Sequence, residues 1–208
     1  MVRILFIISI ISITIDMSTA QSIAGDYNLV GIQDAAGGFR FTKEGRFEFF
    51  FIYGVVDRIA TGTYTLDGNS IKLKSDKTPG EDFLVLSQSK QGNQYVIQAM
   101  DPNEYLLRNI ICIYYINGQE NVAYSDEQGK ITIDETLIGR ILLVQELFPD
   151  VPSVIKDESN SNNHFEVTLS PTLSQVSFKG IDLTLNGKDL TCLLNFVLPF
   201  ENIRFIKR

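Results

Sequence analysis

Between residues 25 and 206 the chain alternates apolar and polar residues over short runs, and turns rich in Gly, Asn and Asp separate the runs. The clearest unit is Gly62-Thr63-Tyr64-Thr65-Leu66-Asp67-Gly68-Asn69-Ser70-Ile71-Lys72-Leu73-Lys74. A period of two places Tyr64 and Leu66 on one face and Thr63 and Thr65 on the other. Ile71 and Leu73 oppose Lys72 and Lys74 in the same way, and Asp67-Gly68-Asn69 tolerates the positive φ of a tight hairpin. Arg46-Phe47-Glu48-Phe49-Phe50-Phe51-Ile52-Tyr53 alternates at first and is then apolar on both faces, which predicts a strand covered from both sides in its second half.

The same reading continues down the chain. Strands are expected at 26–30, 39–42, 95–99, 110–116, 122–124, 130–133, 165–169, 175–178, 181–185, 190–198 and 203–206. Asn117-Gly118 and Asn186-Gly187 mark hairpin turns between them. Residues 134–148 fit a helix through Leu137, Ile141, Val144 and Phe148, but Gly139 and the run Ile141-Leu142-Leu143-Val144 favour a strand. Residues 156–164 read as a solvated loop. So many short strands mean an all-β protein, as a barrel or a sandwich. A change of texture near residues 89–94 divides it into units at 21–92 and 93–208.

Residues 1–20 are expected to be a secretory signal peptide. Met1-Val2-Arg3 is a positive start, residues 4–15 are an apolar run, and Ser18-Thr19-Ala20 offers a cleavage site. The run is about a dozen residues, short of the roughly 20 that span a bilayer. The mature chain is therefore expected to be exported, periplasmic or extracellular, with no integral membrane segment. Export permits disulfides. Cys112 and Cys192 both sit in apolar strand-like runs, as two buried free thiols or as one bridge.

Composition removes several function classes. With 18 Lys and Arg against 25 Asp and Glu, the net charge of −7 disfavours nucleic acid as a partner. The 44% hydrophobic content excludes a disordered chain. One histidine, His164, and two cysteines disfavour a Cys/His metal site, and no catalytic residue, metal or cofactor is expected. The adjacent carboxylates Glu81-Asp82, Asp126-Glu127, Asp134-Glu135 and Asp157-Glu158 read as solvated turns. Tyr53-Gly54-Val55-Val56-Asp57-Arg58 stands out because aromatics lead into an Asp-Arg pair. As a ligand site, Tyr53 and Arg58 would form its rim, with Phe49 and Tyr64 lining a cavity behind them. As structure, it is a strand ending in a salt-linked turn beside a phenylalanine core.

Two resemblances follow from particular motifs. Gly25-Asp26-Tyr27-Asn28-Leu29 and Gly62-Thr63-Tyr64-Thr65-Leu66 share Gly-x-Tyr-x-Leu; with Gly45-Arg46-Phe47 and Asn69-Ser70-Ile71-Lys72-Leu73, residues 24–88 resemble bacterial lipocalin-like (calycin) domains. That implies antiparallel strands around a small apolar ligand. Asp101-Pro102-Asn103, Asn117-Gly118-Gln119 and the hairpin at 124–133 make residues 94–150 resemble the carboxypeptidase regulatory-like (prealbumin-type) sandwich, an accessory module that implies protein contacts and no catalysis. The sequence is thus expected to encode a lipocalin-like meander followed by a β-sandwich-like domain. Its expected role is a non-enzymatic ligand-binding or protein-interaction module, whose partner is a small apolar ligand or another envelope protein. The alternatives are a structural envelope or surface component, and a hydrolase using carboxylates from separate strands.

Overall fold

The computed structural model describes residues 22–208; the expected leader at 1–20 lies outside the described residues. Eight antiparallel strands close into a barrel. Their order is β1 (Gly25–Val30), β16 (Ile203–Lys207), β15 (Asp189–Cys192), β14 (Asp182–Asn186), β5 (Ser70–Ser75), β4 (Val56–Asp67), β3 (Arg46–Tyr53) and β2 (Ala35–Phe41). The meander β1 to β5 therefore supplies five staves, and residues 182–207 supply the other three. β16 pairs with β1 through Leu29 and Phe205, and β14 pairs with β5 through Leu183 and Ile71. A five-stranded meander exposes two edges, and these C-terminal strands satisfy both.

The intervening chain forms two four-stranded sheets. One runs β10 (Lys130–Ile133), β7 (Tyr95–Met100), β13 (His164–Leu169) and β6 (Phe83–Ser89). The other runs β12 (Ser153–Lys156), β11 (Arg140–Gln145), β8 (Ile110–Ile116) and β9 (Gln119–Tyr124). Ile97, Ile131, Phe165 and Val167 of the first sheet share one buried cluster with Ile110, Cys112, Ile141 and Leu143 of the second. That shared core makes the pair a sandwich. β7 and β13 run parallel, while the other pairings are antiparallel.

Local chemistry explains individual elements. Asn117 and Gly118 both take positive φ, 50° and 80°, which the two-residue turn between β8 and β9 requires. Gly62 faces into the barrel, where a Cβ would sit 2.1 Å from the Lys74 carbonyl oxygen. Only glycine lets β4 and β5 close there.

Several sequence expectations change. Residues 140–145 are strand, as favoured, but the expected strand at 190–198 ends at Cys192 and continues as a loop. That loop buries Val197 and Leu198 in the barrel core. The expected strand at 175–178 reduces to one bridge, Gln175 beside Ile59. The loop expected at 156–164 ends in order: Asn163 is fully buried and holds Gln91 and Gln94, and His164 opens β13. The second half of β3 is covered on one face only. Phe47, Phe49 and Phe51 are buried inside, whereas Phe50 and Ile52 stay 43% exposed outside. A run of apolar residues marks two faces but does not say that both have a neighbour.

Candidate functional site

Tyr53, Arg58, Phe49 and Tyr64 all lie on the inward phase of β3 and β4, at different heights. Phe49 sits in mid-barrel, with its ring centroid 4.7 Å from Phe39 and 5.1 Å from Phe178. Phe178 arrives from the chain that returns from the sandwich, and it also meets Phe47 at 5.7 Å and Phe39 at 5.8 Å. Phe205 adds an edge contact to Phe39 at 5.0 Å. These spacings are those of rings in direct contact, so the aromatic side chains fill this level of the lumen. Tyr64, near one end, donates its hydroxyl to the Thr42 carbonyl and packs on Phe41. Burial pushes its pKa up. Tyr53, at the other end, is exposed, stacks on Phe51 and meets Phe200 edge-to-face.

Arg58 is elsewhere in character. It is 2% exposed and sits at the junction of barrel and sandwich. Its guanidinium donates to the carbonyls of Pro149 and Gln175, lies 3.9 Å from Asp150, and stands 5.7 Å from the Phe148 ring centroid. Lys77 completes the cluster: its ammonium reaches Asp150 at 2.8 Å, Asp82 at 2.6 Å and the Gln175 carbonyl at 2.7 Å. Asp150 also accepts from the Ser177 amide and hydroxyl and from the Val151 amide. Two cations and two carboxylates are thus buried together and neutralise one another. Desolvation is the main influence on two of them, lowering the Arg58 pKa and raising that of Asp82. The Lys77–Asp82 contact is an ion pair rather than an aligned hydrogen bond, and Arg58 Nε has no acceptor among the described residues. Glu81-Asp82 is accordingly not the solvated turn expected, because Asp82 is 4% exposed.

The structure buries Asp82 and Asp150 together beneath Lys77 and Arg58. The chemistry there is adhesion between two lobes. Cys112 and Cys192 are free and lie in the sandwich core and the barrel core respectively. Burial pushes their thiols up to about 12 and about 11. Among the described residues, no three His, Cys, Asp or Glu side chains gather in a way that could hold a metal ion. No helix among them is long and apolar enough to cross a membrane.

A different surface emerges on the outer face of the second sandwich sheet. Val154, Leu142, Ile113 and Val122 form one row across all four strands, and Val144, Ile111 and Tyr124 form the next. Arg140, Tyr115 and Glu120 close the patch at one end, with the Tyr115 hydroxyl 2.6 Å from Glu120. On the two edge strands Val122, Tyr124 and Val154 are 47%, 64% and 48% exposed, while Ile111, Ile113 and Val144 in the middle of the sheet are half-buried and Leu142 is 8% exposed. The outer face of the first sheet is mixed: one row reads Lys130, Gln98, Glu166 and Ser87, and the next reads Met100, Thr168 and Leu84, with Met100, Leu84 and Leu86 exposed. The sequence marks residues 110–116 as a strand but does not reveal this patch, because no single strand shows that its neighbours repeat its apolar pattern. Compared with known proteins, the chain matches no family model and no curated sequence.

Proposed function

We propose that this chain is an exported, non-enzymatic protein-interaction module that docks through the outer face of the β12-β11-β8-β9 sheet. The observation that carries the reading is the apolar row Val154–Leu142–Ile113–Val122, four strands wide, on a sheet whose other face already forms the sandwich core. An antiparallel sheet ordinarily pairs one core face with one polar face. An apolar patch of this extent marks a contact surface. The lipocalin-like reading of the barrel is retained as a resemblance of architecture. The packed rings around Phe39, Phe49 and Phe178 favour a scaffold over a ligand cup.

The occupant that best suits this face is the same face of a second copy. Arg140 lies on β11 and Glu120 on β9, with Tyr115 of β8 between them. A two-fold axis parallel to the strands lays β11 of one copy over β8 of the other. Each Arg140 is then offset sideways by one strand spacing, about 4.8 Å, from Glu120 of the second copy, across sheets about 10 Å apart, which the two long side chains can span. Light scattering after size exclusion tests this directly. The mature chain is expected to elute as a dimer, and the double variant Val122→Lys, Tyr124→Lys as a folded monomer. A wild-type monomer whose capture of partner proteins from native cells is unchanged by the double variant would overturn the assignment of this face.

A further inference from the structure

The end of the sandwich farthest from the barrel opens into a cleft of about 590 Å³. Its walls come from the end of β6 and the start of β7, from the turn after β8, and from residues 136–140 and 156–161. Three cations line it, Lys90, Arg140 and Lys156, against one carboxylate, Glu158. That balance is the reverse of the chain's net charge of −7. Lys156 is 4% exposed, and its ammonium donates to three backbone carbonyls, those of Gly139, Asp157 and Asn160. Those bonds satisfy its protons, and among the described residues no carboxylate forms an ion pair with it. Desolvation lowers the Lys156 pKa and Lys90 adds to that lowering, while Asp157 and Glu158 act the other way. Asp157 is otherwise engaged, accepting from Ser159 and Asn160.

A buried cation of this kind raises the positive potential of the space beside it, because little water screens it. Lys90 and Arg140 extend that potential to the cleft mouth. Tyr115 and the 77% exposed Leu137 supply apolar surface between them. The volume falls within the roughly 300–1,000 Å³ of small-molecule sites. We propose that this cleft binds a small organic anion that carries one carboxylate on a ring, such as an acidic sugar. Lys90 and Arg140 take the carboxylate, Tyr115 and Leu137 carry the ring, and Lys156 fixes the loop at 157–160 beneath it. The cleft shares Arg140 and Tyr115 with the end of the docking face, whereas Lys90, Leu137 and Lys156 lie outside that surface, so the site is tested on the monomeric double variant as well as on the wild type.

Titration of the isotope-labelled mature chain with D-glucuronate, D-glucose and sulfate, followed by backbone amide shifts, tests the site. Glucuronate is expected to give saturable shifts concentrated at residues 136–140 and 156–161, with glucose and sulfate giving none there. Lys90→Gln and Arg140→Gln are each expected to weaken glucuronate binding about tenfold, the scale of one lost charge-assisted hydrogen bond. Unchanged amide spectra away from the cleft would show that both variants stay folded. The site is overturned by an absence of saturable glucuronate shifts, by an equal response to glucose or sulfate, or by undiminished affinity in both variants. The double variant at Val122 and Tyr124 leaves the cleft lining unchanged and frees Arg140 from any second copy, so it is expected to bind glucuronate at least as tightly as the wild type, and the cleft fails if the double variant gives no saturable shifts.

Discussion

At the scale of single residues, the junction between the lobes turns on how well each buried charge is satisfied. Asp150 accepts from Lys77, from the Val151 amide and from both the amide and hydroxyl of Ser177. Removing its charge leaves Arg58 and Lys77 to share the single buried carboxylate of Asp82. Asp150→Asn is expected to cost about 3–5 kcal/mol in urea unfolding. Asp82 is held only by the Lys77 ion pair and, in Asp82→Asn, loses a charge that burial already penalises, so the cost is expected to be smaller. Its pH dependence has a definite sign. A carboxyl whose folded-state pKa is raised stabilises the fold below the unfolded value, about 3.9, and that contribution is lost as pH rises through the folded value. Wild type is therefore expected to lose stability relative to Asp82→Asn on going from below that range to neutral pH, which urea midpoints at two pH values measure. The buried thiols give a second residue-scale test. With Cys112 and Cys192 pushed up to about 12 and about 11, neither is expected to react with a thiol reagent at neutral pH until its own core opens. The two labelling rates then report the sandwich and the barrel separately.

Among the elements, the segment returning from the sandwich has the largest structural consequence for its length. Residues 174–176 bond to Ile59 on the part of β4 that extends past β5, and two residues later Phe178 enters the lumen among Phe39, Phe47 and Phe49. Phe178→Ala is expected to destabilise the chain by about 3–5 kcal/mol and to open an apolar space in the barrel. Chemical denaturation measures the first effect. Binding of a small apolar probe, absent in wild type and present in the variant, measures the second. Strand β3 shows what a single strand reveals. Its alternation identified Phe47, Phe49 and Phe51 as one face, and that face is the core. It could not identify Phe50 and Ile52 as exposed, because their environment depends on whether another layer stands outside the barrel. The same limit hid the patch on β8, β9, β11 and β12: residues 110–116 were legible as a strand, but a patch exists only where neighbouring strands align Val154, Leu142, Ile113 and Val122 in one row.

At the level of the whole molecule, the sandwich is carried between β5 and β14, so the barrel closes only with the last strands of the chain. Ending the chain at residue 181 is expected to abolish the barrel, because β1 and β5 lose their partners and Leu183, Leu190 and Phe205 leave the core. Loss of the barrel aromatics' near-ultraviolet circular dichroism would report it. The ligand-site candidates divide at this scale too. The sequence offered Tyr53 and Arg58 as a rim with Phe49 and Tyr64 behind them; the fold puts all four on the inward phase of β3 and β4, but Arg58 meets Asp150 some ninety residues away in the chain. From the sequence alone came the all-β class, the turns at Asn117-Gly118 and Asp67-Gly68-Asn69, and the inward phase of the barrel strands, since side-chain period and turn dihedrals are local properties. Which strands pair across 182–207, which charges are buried together and which apolar face lacks a cover were decided only in the tertiary structure. Those depend on contacts between distant segments, and alternation along a strand carries no information about the identity of its neighbour.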